Sequence, residues 1–251
     1  MLKIMKMNRE ITMKQRFLSL AISTIFLGFT AAPSLAEDVN AWRLFVADHN
    51  KPVINVIDAL DGDKLNAFTV KGPAALYRSE SGAVVFAVQG SANTVTALSS
   101  GISFHDHGDH ADIDVDEPAL LNVEFTGTKP GHFVERQGNV AQWFDGENHA
   151  LLFNEQAVLQ GKKAATSVNV VAAHHGVAVP YDKYAVVSIP NPEDASKRPI
   201  GARVVGLDGK KVGEDALCPG LHGSAGSGNR YALACSTGLL FKPVVCNGDW
   251  R

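Results

Sequence analysis

The sequence has few cysteines, no excess of basic charge and no recognisable catalytic motif. Its three cysteines among 251 residues are too few for a disulfide scaffold and lack the spacing of a zinc ribbon. A formal charge of −3 and a pI near 6.3 argue against a nucleic-acid-binding protein. There is no Gly-x-Ser-x-Gly elbow, His-Glu-x-x-His pair, phosphate loop or dinucleotide fingerprint. The nine histidines are the one count that stands out.

The first 36 residues have the pattern of a cleavable signal peptide. Residues 1–16 are basic, 17–30 form an apolar run, and Ser34-Leu35-Ala36 is a small-x-small cleavage site. The apolar run is shorter than the ~20 residues that a membrane anchor needs. Removal of 1–36 leaves 18 basic and 25 acidic residues, a formal charge of −7, on a chain that we expect to be exported and soluble. The basic region is unusually long for a signal peptide, which suggests Met7 or Met13 as the translation start in place of Met1.

The rest of the chain predicts an all-β fold. Short apolar or alternating runs are separated by turn signals such as Asp61-Gly62 and Asp145-Gly146, and no long run has a period of 3.6 residues. A sandwich, a barrel and a propeller are the candidate architectures. The predicted strands are 43–47, 53–57, 83–88, 94–98, 140–144, 150–154, 184–189, 202–207, 231–235 and 238–241.

An internal repeat favours the propeller. Segments that begin at His132, His175 and His222 match in register and are 43 and 47 residues apart, and a weaker copy without histidine spans 75–83. A period in the forties with about four strands per repeat is typical of propeller blades, whose first strands line a central channel. We therefore predict about four recognisable blades, part of a larger ring.

The predicted domain boundaries follow from this repeat. The blades occupy 37–241, with a partial blade at 42–60, and include a His/Asp-rich loop at 104–117. The tail 242–251 has no obvious closing strand, so we expect a chain that is truncated or shifted in reading frame at this point.

The His/Asp-rich loop is the strongest local signal for metal binding. It carries three histidines and six carboxylates within 14 residues. Neutral imidazole and carboxylate suit zinc, and such a loop can hold the metal weakly in interchangeable arrangements. A solvated acidic loop is the alternative; calcium is disfavoured because Glu117 and Val123 stand where an EF-hand needs Gly and Glu. The predicted ligands are His105, His107 and His110 with Asp106 and Asp109.

The register-matched histidines predict a second metal site. His132, His175 and His222 would converge on the channel as a three-nitrogen site completed by a carboxylate or water, with His174 as the substitute ligand if the register is off by one. The alternative is that each histidine simply bonds to neighbouring backbone.

Cys218 and Cys235 bracket His222 in the sequence. A disulfide is the natural interpretation in an exported protein and would contribute about 3 kcal/mol, while zinc ligation by these cysteines is the alternative. His49 and His149 follow turn-like residues and are interpreted as surface side chains.

Four motifs together resemble the AztD-type periplasmic zinc metallochaperones: 105–112 (HDHGDHAD), 129–134 (KPGHFV), 173–180 (AHHGVAVP) and 218–223 (CPGLHG). The resemblance covers roughly 41–241. It implies a monomeric β-propeller without enzymatic activity that binds Zn²⁺ in the periplasm and passes it to the solute-binding protein of a zinc ABC transporter. It implies no nucleic-acid partner and, after signal cleavage, no membrane. Family members are longer, in line with a truncated chain here.

Within that resemblance we expect the His-rich loop to act as a flexible arm over the channel mouth that shuttles zinc to or from the inner histidines. Two other functions stay open on the residues alone. One is a metal-dependent propeller hydrolase or lactonase, in which an open zinc position activates water. The other is an interaction propeller with structural histidines.

Overall fold

The protein is an array of antiparallel β-sheets in this computed structural model, which describes residues 40–109, 111–169, 176–181, 183–227 and 230–243. One short helix, α1 (Glu155–Leu159), interrupts the strands. The strands are β1 (Arg43–Ala47), β2 (Val53–Asp58), β3 (Lys64–Thr69), β4 (Ala75–Arg78), β5 (Val84–Gln89), β6 (Thr94–Ser99), β7 (Ile102–Asp106), β8 (Ala111–Val115), β9 (Ala119–Thr126), β10 (Pro130–Arg136), β11 (Asn139–Phe144), β12 (His149–Asn154), β13 (Ala165–Asn169), β14 (Ala178–Tyr181), β15 (Tyr184–Ile189), β16 (Gly201–Gly206), β17 (Lys211–Leu217), β18 (Ser224–Ser227), β19 (Arg230–Cys235) and β20 (Gly238–Pro243).

Five of the sheets are successive propeller blades. The orders β4-β5-β6-β9, β10-β11-β12-β13 and β14-β15-β16-β17 are complete four-stranded blades, and β1-β2-β3 and β18-β19-β20 contribute three strands each. Strands β10 and β11 both lie against β14 of the next blade, and β1 lies against β4 of the blade that follows it. The all-β propeller predicted from the repeat is therefore confirmed, with β4, β10, β14 and β18 as the innermost strands.

The connections define two faces of the propeller, which we call the entry face and the exit face. Innermost strands begin at the entry face: there the backbone N–H of Lys129, just before β10, donates to Asn93 Oδ1 in the β5–β6 turn at 2.9 Å. They end at the exit face, where the N–H of Gln137 after β10 donates to Glu80 Oε2 after β4 at 2.9 Å. Because β6 runs parallel to β4, the β6–β9 connection leaves from the exit face.

Apolar side chains that alternate along the strands fill the spaces between neighbouring blades. Phe86, Phe125 and Phe153 form a ring cluster between the second and third blades, with centroids 4.1 to 5.7 Å apart. Trp143 is fully buried between the third and fourth blades. Burial of each such large side chain contributes about 1.5–3 kcal/mol, so the stability of the fold resides largely between blades.

All ten predicted strands are present, each within two residues at either end. The named ranges omitted the other ten, several of which are short or carry polar residues on both faces, such as β13 and β17. One side chain is placed differently from the prediction: His149 opens β12, its side chain is only 14% exposed, and its ring stacks on Phe144 at 5.3 Å. It is therefore not a surface residue, whereas His49 is exposed.

The predicted signal peptide, 1–36, and most of the predicted tail, 244–251, lie outside the described residues. In the part of the chain that is described, no helix has both the length and the apolar character needed to cross a membrane.

Candidate metal site

Two of the register-matched histidines meet at the entry face. His132 lies on β10 and is half-buried, and His222 lies two residues before β18 and is exposed. Their ring centroids are 5.6 Å apart and the ring planes cross at 80°. Residues 90 positions apart in sequence are thus brought within the reach of one metal ion by the blade repeat.

Gly176, the residue after the third register-matched position, lies beside His132. His132 Nδ1 lies 3.1 Å from the backbone oxygen of Gly176. Since a carbonyl oxygen can only accept, Nδ1 carries the proton, and Nε2 is the nitrogen that bears the lone pair in a neutral ring. His174 and His175 themselves lie outside the described residues, but Gly176 directly follows them in the chain.

A cavity of about 500 Å³ runs along the inner side of β10. His132 lines one end of it, near the entry face, and Glu80 and Gln137 line the other end, at the exit face. Val177 and Val179 form part of its apolar wall. The cavity therefore follows the position of the central channel that the repeat predicted.

The segment that carries His222 is fixed by a disulfide. Cys218 and Cys235 are bonded, with their Cα atoms 5.0 Å apart and a sequence separation of 17. The backbone N–H of His222 also donates to the oxygen of Ala234 at 3.0 Å. The predicted disulfide is confirmed, and its sulfurs are not available as zinc ligands in this state.

The His/Asp-rich segment is mainly a two-stranded hairpin and not the loop predicted for 104–117. Strands β7 and β8 pair antiparallel, with His105 opposite Asp112 and Phe104 opposite Ile113. Backbone pairing stabilises this ribbon, because residues with alternating polar and apolar side chains can form a ladder without a core of their own. An N–H···O bond from Asp116 to Gly101 closes its base.

His105, His107, Asp112 and Asp114 occupy one face of the hairpin. His105 Nε2 is 2.9 Å from Asp114 Oδ2, and His107 Nε2 is 3.2 Å from Asp112 Oδ2. All four side chains are more than half exposed. Directly opposed residues of a ribbon share a face, so the ribbon presents imidazoles and carboxylates alternately along one side. Asp106 falls on the other side, and His110 lies outside the described residues.

The two groups of histidines lie on opposite faces of the propeller. The hairpin is inserted between β6 and β9 and leaves from the exit face, whereas His132 and His222 lie at the entry face. This differs from the expected arm above the inner histidines. The difference arises because the insertion follows the third strand of its blade, and third strands end at the exit face.

Among the described residues, no three or more His, Cys, Asp or Glu side chains form a group that could hold a metal ion. The described donors form pairs: His132 with His222, His105 with Asp114 and His107 with Asp112. Any fuller site would need the histidines at 110, 174 and 175.

Burial affects the ionisable groups at the exit-face end of the cavity. Desolvation raises the pKa of Glu135, partly offset by hydrogen bonds from the backbone of Gly138 and Glu80, and the neighbouring Glu155 and Glu80 carboxylates add to the rise. Burial likewise raises the pKa of Tyr231, whose ring faces the Arg136 guanidinium at 5.9 Å. Glu135 accepts from the N–H groups of both Glu80 and Gly138, and so joins the turns of two adjacent blades.

Sequence reasoning did not identify the residues that support His132. Trp143 is fully buried and its Nε1–H donates to Asp145 Oδ1 at 2.9 Å, in contact with the segment before β14. Nothing in the sequence marks this pair. By contrast, the hairpin has a signal in the sequence. Histidine recurs every second residue at 105 and 107, before Gly108, and aspartate does so at 112 and 114, after it; this period of two is typical of β-strands and could have predicted the hairpin.

Comparison with known proteins identifies close relatives. No protein-family model matches the chain. The zinc chaperone AztD of Citrobacter koseri is 71% identical over 232 residues, which are 92% of this chain and 55% of that protein. The crystal structure of Citrobacter koseri AztD superposes with a TM-score of 0.83 at 70% identity, over 85% of this chain and 57% of that one. The chain thus spans little more than half the length of these relatives.

A more distant structure supports the fold alone. Hsv2 of Kluyveromyces lactis superposes with a TM-score of 0.52 at 11% identity, over 80% of this chain and 59% of that one. The high identity to AztD, together with the crystal-structure match, confirms the resemblance inferred from the four histidine and cysteine motifs: along nearly all of its length this chain is related to the AztD-type zinc chaperones.

Proposed function

We propose that this chain is a periplasmic zinc metallochaperone, which captures Zn²⁺ and transfers it to the solute-binding protein of a zinc ABC transporter. The observation that carries the proposal is the convergence of His132 and His222 beside Gly176 at the end of the cavity. The 71% identity to a protein named as a zinc chaperone supports the same function. That relative is not named for an enzymatic reaction, so the hydrolase or lactonase alternative is not carried forward.

The inner histidines form the tighter site in this proposal. His132 and His222 supply two imidazole nitrogens, and His175, or His174 in its place, supplies the third. Three neutral imidazoles with an open fourth position are a known zinc arrangement, and the open position allows the metal to leave for an acceptor. The disulfide next to His222 keeps this ligand in place when the site is empty.

The hairpin forms the weaker, exposed site. His105, His107 and His110, with Asp106 and Asp109, are the proposed ligands, and the aspartates that pair with the imidazoles, Asp112 and Asp114, join them. Imidazoles that already contact carboxylates can exchange these partners for a metal in several arrangements. Such a site favours rapid capture and release.

The compartment and the partner follow from the same features. The expected signal peptide would export the chain, and a disulfide between Cys218 and Cys235 is typical of an oxidising compartment. The expected mature charge of −7 attracts cations and favours a partner with a basic docking surface. We propose neither a nucleic-acid partner nor attachment to a membrane.

Calorimetric zinc titration of the mature chain tests the two sites. We expect H132A/H222A to abolish the tighter phase and H105A/H107A to remove only the weaker one, while H49A at an exposed histidine changes neither. Because imidazole binds zinc only when neutral, both phases should weaken as the pH is lowered. Absence of any zinc binding below micromolar concentrations in the unmodified chain would refute the proposal.

Transfer requires a separate experiment. The zinc-loaded chain is mixed with the metal-free solute-binding protein in the presence of a chelator that competes for free zinc. Direct transfer predicts loading of the acceptor that does not slow as chelator is added. Loading that falls in proportion to the chelator would show release into solution and contradict the chaperone role.

A further inference from the structure

We propose that Trp143 and Asp145 are positioning residues for the inner zinc site, which set the proton position and the orientation of the His132 ring. This inference rests on the proposed function, since it takes His132 as a zinc ligand. It assigns a role to the hydrogen-bonded pair of the buried Trp143, on β11, and the half-buried Asp145, just after β11, neither of which belongs to the ligand set.

Zinc binding by His132 depends on which of its two ring nitrogens carries the proton. His132 can bind zinc through Nε2 only while Nδ1 keeps its proton, and the Gly176 carbonyl at 3.1 Å holds that proton. A metal-binding histidine commonly donates its other N–H to such an acceptor, which fixes both tautomer and orientation. The position of the Gly176 carbonyl therefore decides whether His132 is ready to bind.

The second step concerns what fixes Gly176. A Cβ atom at this position would lie 2.2 Å from Trp143 Cζ2 and 2.3 Å from Cε2, so the indole is packed directly against the glycine backbone. The ring is fully buried. Its Nε1–H bond to Asp145 Oδ1, 2.9 Å long, prevents the indole from turning away. The Trp143 ring therefore packs against the backbone of Gly176, whose carbonyl accepts the hydrogen bond from His132.

The third step connects the same pair to the strand of His132 itself. The position of a Cβ atom on Gly131 would be 3.0 Å from Asp145 Oδ2, so this carboxylate lies close to the backbone that precedes His132. Asp145 therefore contacts the strand that carries the ligand, and through Trp143 it also supports the carbonyl that orients the ligand. One hydrogen-bonded pair holds both sides of the His132–Gly176 contact.

The experiment compares zinc affinity and the His132 tautomer in W143F, D145A and D145N, each in a background that lacks the three hairpin histidines. Tautomers are determined from ¹⁵N shifts of histidine-labelled, metal-free protein. We expect W143F and D145A to weaken zinc binding about 10-fold to 100-fold and to reduce the Nδ1–H population of His132. D145N keeps an oxygen that accepts from the indole and should retain both properties.

The matched control is W42F. Trp42 is 63% exposed and its Nε1–H also donates to an Asx oxygen, Asn40 Oδ1, at 3.2 Å, so the same substitution removes the same kind of bond away from the site. It should alter neither affinity nor tautomer. If W143F does not fold, the D145A and D145N pair decides the question.

The outcomes separate this inference from the proposed function. If H132A in the same background binds zinc as tightly as the parent, the inner site itself is refuted. If H132A weakens binding but W143F and D145A leave affinity and tautomer unchanged, only the positioning role is overturned. An equal loss in D145N and D145A would also overturn it, since the hydrogen bond would then not be the cause.

Discussion

Replacement of Gly176 by alanine adds only one methyl group but should destabilise the fold strongly. The new Cβ would lie 2.2, 2.3 and 2.8 Å from three carbons of the Trp143 indole, where an ordinary carbon–carbon contact is about 3.5–4.0 Å. The new Cβ atom and the Trp143 ring would therefore have to move more than about 1 Å apart. The indole cannot supply it easily, because it is fully buried and bonded to Asp145.

The expected magnitude follows from the cost of overpacking. Forcing one extra carbon into a close-packed core costs about 1–3 kcal/mol, and the fixed indole places G176A near 3 kcal/mol. For a domain of this size, that cost corresponds to a fall in Tm of about 6–12 °C.

Thermal unfolding followed by circular dichroism measures this difference, with G90A as the control. Gly90 has no atom within 4 Å of its would-be Cβ, so the same substitution there should change the free energy of unfolding by less than about 0.5 kcal/mol. Equal Tm values for G176A and G90A would refute the close approach of the indole to the chain before β14, and with it the basis for orienting His132.

Three further outcomes are expected. Replacement of Cys218 and Cys235 by serine removes a cross-link over 17 residues and should lower stability by about 3 kcal/mol, measured by urea unfolding; an unchanged midpoint would contradict it. The Arg203 guanidinium holds the pKa of Asp215 below its ordinary value. The Arg203–Asp215 ion pair therefore adds a small amount to the free energy of unfolding at pH values above the pKa of Asp215 in the unfolded chain, and this amount is lost as the pH falls through the pKa of Asp215 in the folded protein. The D215N variant should therefore be less stable than the parent at pH 7 but not at pH 2, by at most about 1 kcal/mol. Finally, G101A would place a Cβ atom 2.2 Å from the backbone oxygen of Asp116, and Gly101 has a φ of +72°, which alanine adopts only with strain. Amide hydrogen exchange in the hairpin should therefore be faster in G101A than in the parent, and unchanged in G90A.

The blade repeat could be predicted from the sequence because it depends on local pattern. Strands such as β5 and β11, with near-continuous apolar runs, are evident without any structure. The match of His132 and His222 was predictable for the same reason, since residues at equivalent positions of successive blades face one axis. The partner protein and the transfer of zinc to it could not be inferred from the residue pattern alone. They were inferred from the resemblance to the AztD-type chaperones.

The supports of the site could not be predicted, since they depend on contacts between blades. The packing of Trp143 on Gly176 joins residues of two adjacent blades, and neither residue is unusual in its own local sequence. The hairpin was missed for a different reason. Its ribbon has little core, so composition suggested a loop, whereas the alternation of His105 with His107 carried the strand signal.

The separation of the two histidine groups constrains how zinc can move. His132 is the third of the seven residues of β10, so about 13 Å of strand separates it from the exit-face end. The hairpin starts from the third and fourth strands of its blade, a further ~10–14 Å from the axis at ~4.8 Å per strand. Its own strands of five residues extend about 17 Å from this base, and the turn between them adds to that length. In the proposed function the exposed hairpin and the inner histidines are two separate zinc sites, and we expect a partner protein at the exit face to contact the hairpin first.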